Sequence, residues 1–292
     1  MISNMSWGIG TLFDKYVTSN RIGHPMVYQL FIVLLGAPAL LIIPFVDFVI
    51  PPLHIIGIIF LSEFIAFFGN ILYLRSVRDE DVTRINMLWS LVPIFTLIIA
   101  WFTIDQKLPP TQLTAFGLLL IGAILASIHI VKGKKLRLSK VILSMAGACL
   151  AFAIAAVILS YLTNQLSFFN IFIWTYIAAI PITIAPFLNK NLRKELKKAL
   201  PLLNKKTAAL IFTATNLGNI GFIFNIWAIS LGPVALVFSL EGFQMLFVFA
   251  ITILISFFTS IRLHEELDRK NLILKGAALL VVVSGITTLY LN

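Results

Sequence analysis

Of the 22 lysines and arginines in this chain, all but three fall in the connections on one side of a hydrophobic pattern that rises and falls ten times. Apolar stretches run near Met1 to Val17, Met26 to Phe45, His54 to Leu74, Ile85 to Phe102, Leu113 to Val131, Val141 to Leu162, Phe168 to Leu188, Ala208 to Ile229, Val234 to Phe258 and Leu272 to Leu291. Most are about 18 to 25 residues long, enough to cross roughly 30 Å of hydrocarbon as a helix. Connections after the odd-numbered stretches carry the basic residues, from Arg21, Arg75, Arg78 and Arg84 through Lys132 to Lys140 and Lys190 to Lys206 to Arg262, Arg269 and Lys270. Those after the even-numbered stretches carry only Lys107, while Lys15 and Lys275 sit inside helix ends. An all-α, multi-pass integral membrane protein of ten transmembrane helices is the expectation, since positive charge is retained on the cytoplasmic side during insertion.

Composition excludes other classes. Charged residues make up 12% and hydrophobic residues 60% of the chain, whereas a soluble domain is about 25% charged. The formal charge of +10 lies at the ends of lipid-length spans, so it orients the chain in a membrane, and no nucleic-acid partner is expected. Cys149 is the single cysteine, which leaves no disulfide framework and no cysteine-based metal site. His24, His54, His129 and His264 are dispersed at span ends, so no metal is expected. Neither a glycine-rich phosphate loop nor a serine-hydrolase motif occurs, and no cofactor is expected. No short apolar run with a small-residue cleavage site opens the chain.

Five spans precede the basic stretch Lys132 to Lys140 and five follow it. Sliding one half over the other aligns Tyr73-Leu74-Arg75-Ser76-Val77 with Asn225-Ile226-Trp227-Ala228-Ile229, and Ser19 to Tyr28 with Asn164 to Ile173, at nearly one displacement. The expected organisation is a five-helix repeat over residues 1–131, a basic linker at 132–140 and a second repeat over 141–292. An odd number of spans per unit turns the second unit upside down, and inverted repeats that meet near the midplane are a recurrent transporter architecture. Between Asn189 and Lys206, Leu192, Leu196 and Leu200 recur at helical spacing among lysines and arginines. This stretch reads either as a short helix on the lipid surface or as a solvated basic loop. In both cases anionic lipid is the expected partner, each basic residue near the surface contributing roughly 1 kcal/mol.

Trp7-Gly8 at the entry of span one, Tyr73 to Val77 at the exit of span three, Ser90-Leu91-Val92-Pro93 in span four, and the polar turn leading into Gln106 to Gly122 together resemble the ten-span EamA-type carriers of the drug/metabolite transporter superfamily. The likeness runs over almost the whole chain. It departs from the family where Gln106 replaces a usual glutamate and Met245 a usual proline, and span nine runs further before its acidic turn at Glu265. The resemblance implies a secondary carrier, often an exporter of amino acids or other small metabolites, with a central cavity formed by both repeats.

An ionisable group inside a membrane costs several kcal/mol and needs a reason to be there. Glu63 lies near the middle of span three, with Asn70 on the same helical face, and Glu241 lies in span nine with Gln244 at i+3. Asn216 and Asn219 share a face of span eight, and Trp89 in span four corresponds to Glu241 in the repeat superposition. A ring face beside a carboxylate suits a cationic or zwitterionic solute. Hydrocarbon disfavours the charged form of Glu63 or Glu241, the property a proton-coupled carrier uses. Asp14 shares a face with Trp7, Gly10 and Thr11 and could line the cavity, whereas Lys15 is expected to snorkel toward the basic side. A purely structural role without any part in transport is the alternative for all of these groups, Glu63 and Glu241 included; for the amides it is interhelical hydrogen bonding at about 0.6 kcal/mol each.

The expectation is a non-enzymatic secondary transporter, an exporter of small metabolites such as amino acids or of amphipathic drugs, working by alternating access with proton coupling, monomeric, in the plasma membrane of a prokaryote. An intramembrane enzyme acting on a lipid-linked substrate is the rival, and it would want acids and histidines clustered at one leaflet. Two further expectations concern the ends of the chain. Ser3, Asn4 and Ser6 sit where lipid-facing residues are expected, which suggests a reading frame beginning upstream. The charges put both termini outside, while the family resemblance implies termini inside.

Overall fold

The computed structural model describes residues 2–104, 113–115, 117–118, 121–122, 125, 128–129, 137–138, 141–232, 234–239, 244, 247–248, 251 and 269–290. Glu241, Met245, Gln106, Glu265 and most of the basic linker lie outside the described residues. The helices described from end to end are, in chain order, α1 (Ile2–Asn20), α2 (Pro25–Gly36), α3 (Leu53–Asp79), α4 (Val82–Leu88), α5 (Leu91–Ile104), α6 (Ile142–Leu162), α7 (Phe168–Ile184), α8 (Lys190–Ala199), α9 (Lys205–Leu231), α10 (Val234–Ser239) and α11 (Arg269–Tyr290). A two-residue hairpin pairs β1 (Ile128–His129) with β2 (Arg137–Leu138) in antiparallel register. Span five therefore leaves the helical conformation before Val131, where the sequence pattern places its end.

Among the described residues six helical segments are long and apolar enough to cross a membrane: Pro25–Phe45, Leu53–Asp79, Val82–Thr103, Ile142–Leu162, Phe168–Leu188 and Lys205–Leu231. Spans five and nine fall largely outside the described residues, and spans one and ten differ from the rest. Helix α1 is enclosed by the bundle and so needs no apolar exterior: Ser3, Asn4, Ser6, Thr11, Lys15 and Thr18 are all buried, and Ile2 and Met5 face outward. This corrects two expectations. Ser3, Asn4 and Ser6 do not face lipid, and Lys15 does not snorkel to the surface, being 3% exposed. In α11 the apolar run is the shorter Leu272–Thr288.

Packing follows small residues. Helix α3 lies along α6, and α1 along α9; α2 and α7 touch each other, and each also crosses a long helix of the opposite half, α9 and α3 respectively. In lipid, close van der Waals approach drives such contacts, so interfaces select small side chains. Ala148, Cys149, Ala153, Ala155 and Ala156 are buried along α6, and a Cβ at Gly69 of α3 would sit 3.0 Å from Ala151 Cβ and 3.3 Å from the Ala148 carbonyl oxygen. Gly221 does the same for the α9 and α1 pair, where a Cβ would come within 2.9 Å of Trp7 Nε1.

Proline shapes three spans. Pro93 has no N–H to give the carbonyl four residues back, so the Trp89 oxygen instead accepts from Val92 N at 2.9 Å, and Ser90 N bonds to the Met87 carbonyl at 3.1 Å. Span four is thereby broken into α4 and α5 at Trp89. Spans two and seven tighten into 3-10 turns at Ala37–Phe45 and Ala185–Leu188, which contain Pro38, Pro44 and Pro186.

The stretch 189–206 forms helix α8. It begins at Asn189, whose side chain accepts from Asn191 N, and its lysines and arginine are exposed. Leu192 and Leu196 pack against the bundle core rather than on lipid, and Ala199 is buried with them. Exposed Leu188, Leu200 and Leu202 flank it. Lys198 Nζ lies 2.7 Å from Glu195 Oε1 and holds that carboxyl below its usual range.

Candidate functional site

A cavity of about 340 Å³ occupies the middle of the bundle. Helix α1 contributes Trp7, Gly10, Thr11 and Asp14, which recur at i+3 and i+4 and so face one way. From α3 come Ser62, Glu63, Ala66, Asn70 and Tyr73, also helically spaced; Trp89 enters at the break that Pro93 imposes on span four. The second half of the sequence supplies Phe152, Ala155, Ala156 and Leu159 of α6, Thr175 of α7, and Thr215, Gly218, Asn219, Phe222 and Asn225 of α9, with Phe238 and Gln244 beyond.

Asp14 is the most elaborated group. Its Oδ1 accepts from the Tyr28 hydroxyl at 2.7 Å and its Oδ2 from the Tyr73 hydroxyl at 3.1 Å. Tyr73, Trp89 and Phe152 form a continuous aromatic wall, with ring centroids 5.4 Å and 5.1 Å apart in succession. Trp7 closes another side and donates from Nε1 to the Gly218 carbonyl at 3.3 Å. Glu63 lines the same cavity, and no side-chain hydrogen bond to its carboxyl occurs among the described residues.

The other residues singled out from sequence divide. Asn70, Trp89, Asn219 and Gln244 line the cavity with Asp14 and Glu63. Gln244 also donates from Nε2 to Asn86 Oδ1 at 2.7 Å, tying span nine to span four, and Asn219 donates to the Gly36 carbonyl at 3.4 Å. Asn216 is not on the wall; it donates to the Phe212 and Leu35 carbonyls at 2.8 and 3.4 Å, the geometry of an interhelical hydrogen bond. Glu241 lies outside the described residues. Sequence reasoning missed Tyr28, whose partner is 14 residues away, and Thr175, Thr215 and Phe152, whose residue types are unremarkable in an apolar span.

A buried ionic network lies beyond the cavity on the side where the basic connections emerge. Lys275 Nζ of α11 is 2.7 Å from Asp81 Oδ2, and Arg84 Nε is 3.5 Å from Asp81 and 3.8 Å from Glu80. Lys15 Nζ donates to the carbonyl oxygens of Arg78 and Glu80 at 3.0 and 2.7 Å. Arg84 is 1% exposed. It therefore acts within the bundle rather than as a loop charge, while its neighbours Arg75 and Arg78 remain at the surface.

Apolar membrane-length helices around a central cavity into which two acids project define an integral, multi-pass membrane protein. Residues 1–128 match the model of the EamA-like transporter family. No curated protein matches the chain. Twenty-eight solved chains do; one, described only as the crystal structure of a protein, superposes with a TM-score of 0.63 over 99% of this chain and 96% of its own at 12% identity, a likeness of fold alone.

Proposed function

We propose that the protein is a secondary active transporter that exports a small organic molecule, a metabolite such as an amino acid or an amphipathic drug, by alternating access of the central cavity. The observation that carries this reading is a cavity walled by helices from both halves of the sequence, with Asp14 and Glu63 on its lining. Several contacts are what an inverted repeat of residues 1–131 and 141–292 requires. The pairs α1 with α9 and α3 with α6 exchange if the halves are swapped, as do α2 with α9 and α7 with α3. Tyr73 and Asn225, aligned between the halves, both reach the cavity wall. The buried network of Lys275, Asp81, Arg84 and Lys15 is the closure on the basic side that must part when the cavity opens there. The family match favours a carrier over an intramembrane enzyme.

Coupling to protons is assigned to Glu63 or Glu241, the carboxyls of spans three and nine. The carrier works as a monomer in a prokaryotic plasma membrane, with anionic lipid against the cationic face of α8. Flux in proteoliposomes, with labelled amino acids, cationic drugs and nucleosides and with or without a pH gradient, tests the function. E63Q or E241Q should lose pH-driven uptake while retaining substrate exchange. Wild-type pH-driven flux in both variants would remove proton coupling, and absence of flux for every solute would remove the carrier.

A further inference from the structure

The cavity has a chemically distinct end at Asp14. Both oxygens of this carboxyl accept from neutral phenols, Tyr28 at 2.7 Å and Tyr73 at 3.1 Å. Two lone-pair acceptors that each receive one donor still have room for a second. Among the described residues Asp14 has no cationic partner: its carboxyl accepts from the two tyrosines, and Lys15, its neighbour in the chain, sends Nζ to the Arg78 and Glu80 carbonyls instead. Three rings begin at this carboxylate and continue along the cavity, Tyr73 to Trp89 to Phe152. No lysine, arginine or histidine lines the cavity among the described residues, whereas a second acid, Glu63, does.

Resting on the carrier reading, we propose that the Asp14 end of the cavity is a binding site for an organic ammonium ion, whose charge meets the carboxylate while Tyr73, Trp89 and Phe152 enclose its apolar body. Ring faces and a carboxylate attract the same sign of charge, and both attractions strengthen away from water. A separate carboxylate on the solute finds no positive side chain on the described wall and is repelled by Asp14. The preferred cargo is therefore an amine or quaternary ammonium compound, ahead of the amino acid of the same skeleton. Tyr28 and Tyr73 are positioning residues that fix the carboxylate.

The test uses three ligands that share a phenyl ring and differ in charge, competing for labelled 2-phenylethylamine on the purified full chain at pH 7: unlabelled 2-phenylethylamine, phenylalanine and 3-phenylpropionate. The amine should bind at least about tenfold more tightly than phenylalanine, and 3-phenylpropionate should not compete. D14N should abolish the preference for the amine; Y28F and Y73F, which keep the charge and remove one donor each, should weaken amine binding by a few fold. Equal or tighter binding of phenylalanine, no binding of the amine, or an unchanged preference in D14N overturns the proposal. If D14N does not fold, the wild-type ligand series and the two tyrosine variants decide the matter by themselves. Counterflow of the labelled amine in proteoliposomes separates this site from the carrier reading. Amine binding with no flux of any solute in the panel supports the site and refutes the carrier, whereas phenylalanine flux that the amine does not inhibit refutes the site and leaves the carrier standing.

Discussion

Replacing Lys275 by Met takes a close charged partner from a carboxylate buried in the bundle. Asp81 Oδ2 and Lys275 Nζ are 2.7 Å apart, with side chains 6% and 2% exposed. At an effective dielectric of about 20, that separation corresponds to a gross attraction of about 6 kcal/mol. Desolvation of the two ions offsets most of this, so the net worth of the pair is small. Breaking it from one side is costly all the same, because the ion left behind stays desolvated, and buried pairs broken in this way lose about 3 to 5 kcal/mol. Arg84 stays 3.5 Å from Asp81, which places K275M near the low end, about 3 kcal/mol. For a chain of this size that is a fall of roughly 5 °C in midpoint. Cys149, the only cysteine and fully buried, supplies the assay: a fluorogenic maleimide reacts with it as the detergent-solubilised protein unfolds. The double variant D81N/K275M removes both charges and should recover at least half of the loss. A fall under about 2 °C for K275M would show the pair to be as weak as an exposed one, and a double variant no better than the single would refute the unpaired-charge argument.

Three further outcomes follow from the packing and the charges. Gly221→Leu drives a side chain into Trp7 and the Ser3 carbonyl and should cost about 1 to 3 kcal/mol, seen as a lower midpoint in the same maleimide assay; an unchanged midpoint would mean that α1 and α9 separate freely. In a Cys149→Ser background, the charge asymmetry predicts that an impermeant maleimide labels a cysteine at exposed Gln165 in intact cells and not one at Lys198, which is also exposed; the reverse pattern would place the basic side outside. Changing Lys190, Arg193, Lys194 and Lys197 of α8 to glutamine should remove most of the stabilisation that anionic lipid gives over neutral lipid, since each contributes roughly 1 kcal/mol near the surface; equal stabilisation of variant and wild type by phosphatidylglycerol would dissociate α8 from lipid binding.

Much of this architecture is written in one-dimensional order. Span length and hydropathy mark the helices because a backbone in hydrocarbon must satisfy its own hydrogen bonds, which leaves a lipid-facing segment little choice but an apolar helix. The wall residues of α1 and α3 were legible for a related reason: Trp7, Gly10, Thr11 and Asp14, like Glu63 and Asn70, obey the helical period, and an acid at membrane depth stands out against its background. Polar residues inside enclosed elements were misread by the same logic. Ser3, Asn4, Ser6 and Lys15 look lipid-exposed or bound for the surface only on the assumption that every span touches lipid, and α1 is packed on α9, α3 and α4 instead.

What the order of residues could not decide is which distant groups meet. Asp14 joins Tyr28 and Tyr73 across 14 and 59 positions, and Asp81 joins Lys275 across 194. Nothing in tyrosine or lysine as residue types distinguishes these from others at span ends. Asn216 and Asn219 share a sequence face, yet only Asn219 reaches the cavity, because a helical face is broad and the neighbour that packs on it divides it. Periodicity fixes the direction of a side chain relative to its own helix axis, whereas its partner depends on how helices cross, and those crossings are set by close contacts such as Gly69 on Ala148 and Gly221 on Trp7. Secondary structure and depth in the membrane are thus local properties that the sequence determined, while the pairing of charges and the shape of the cavity arise from contacts between segments far apart in the chain and were decided only by tertiary packing.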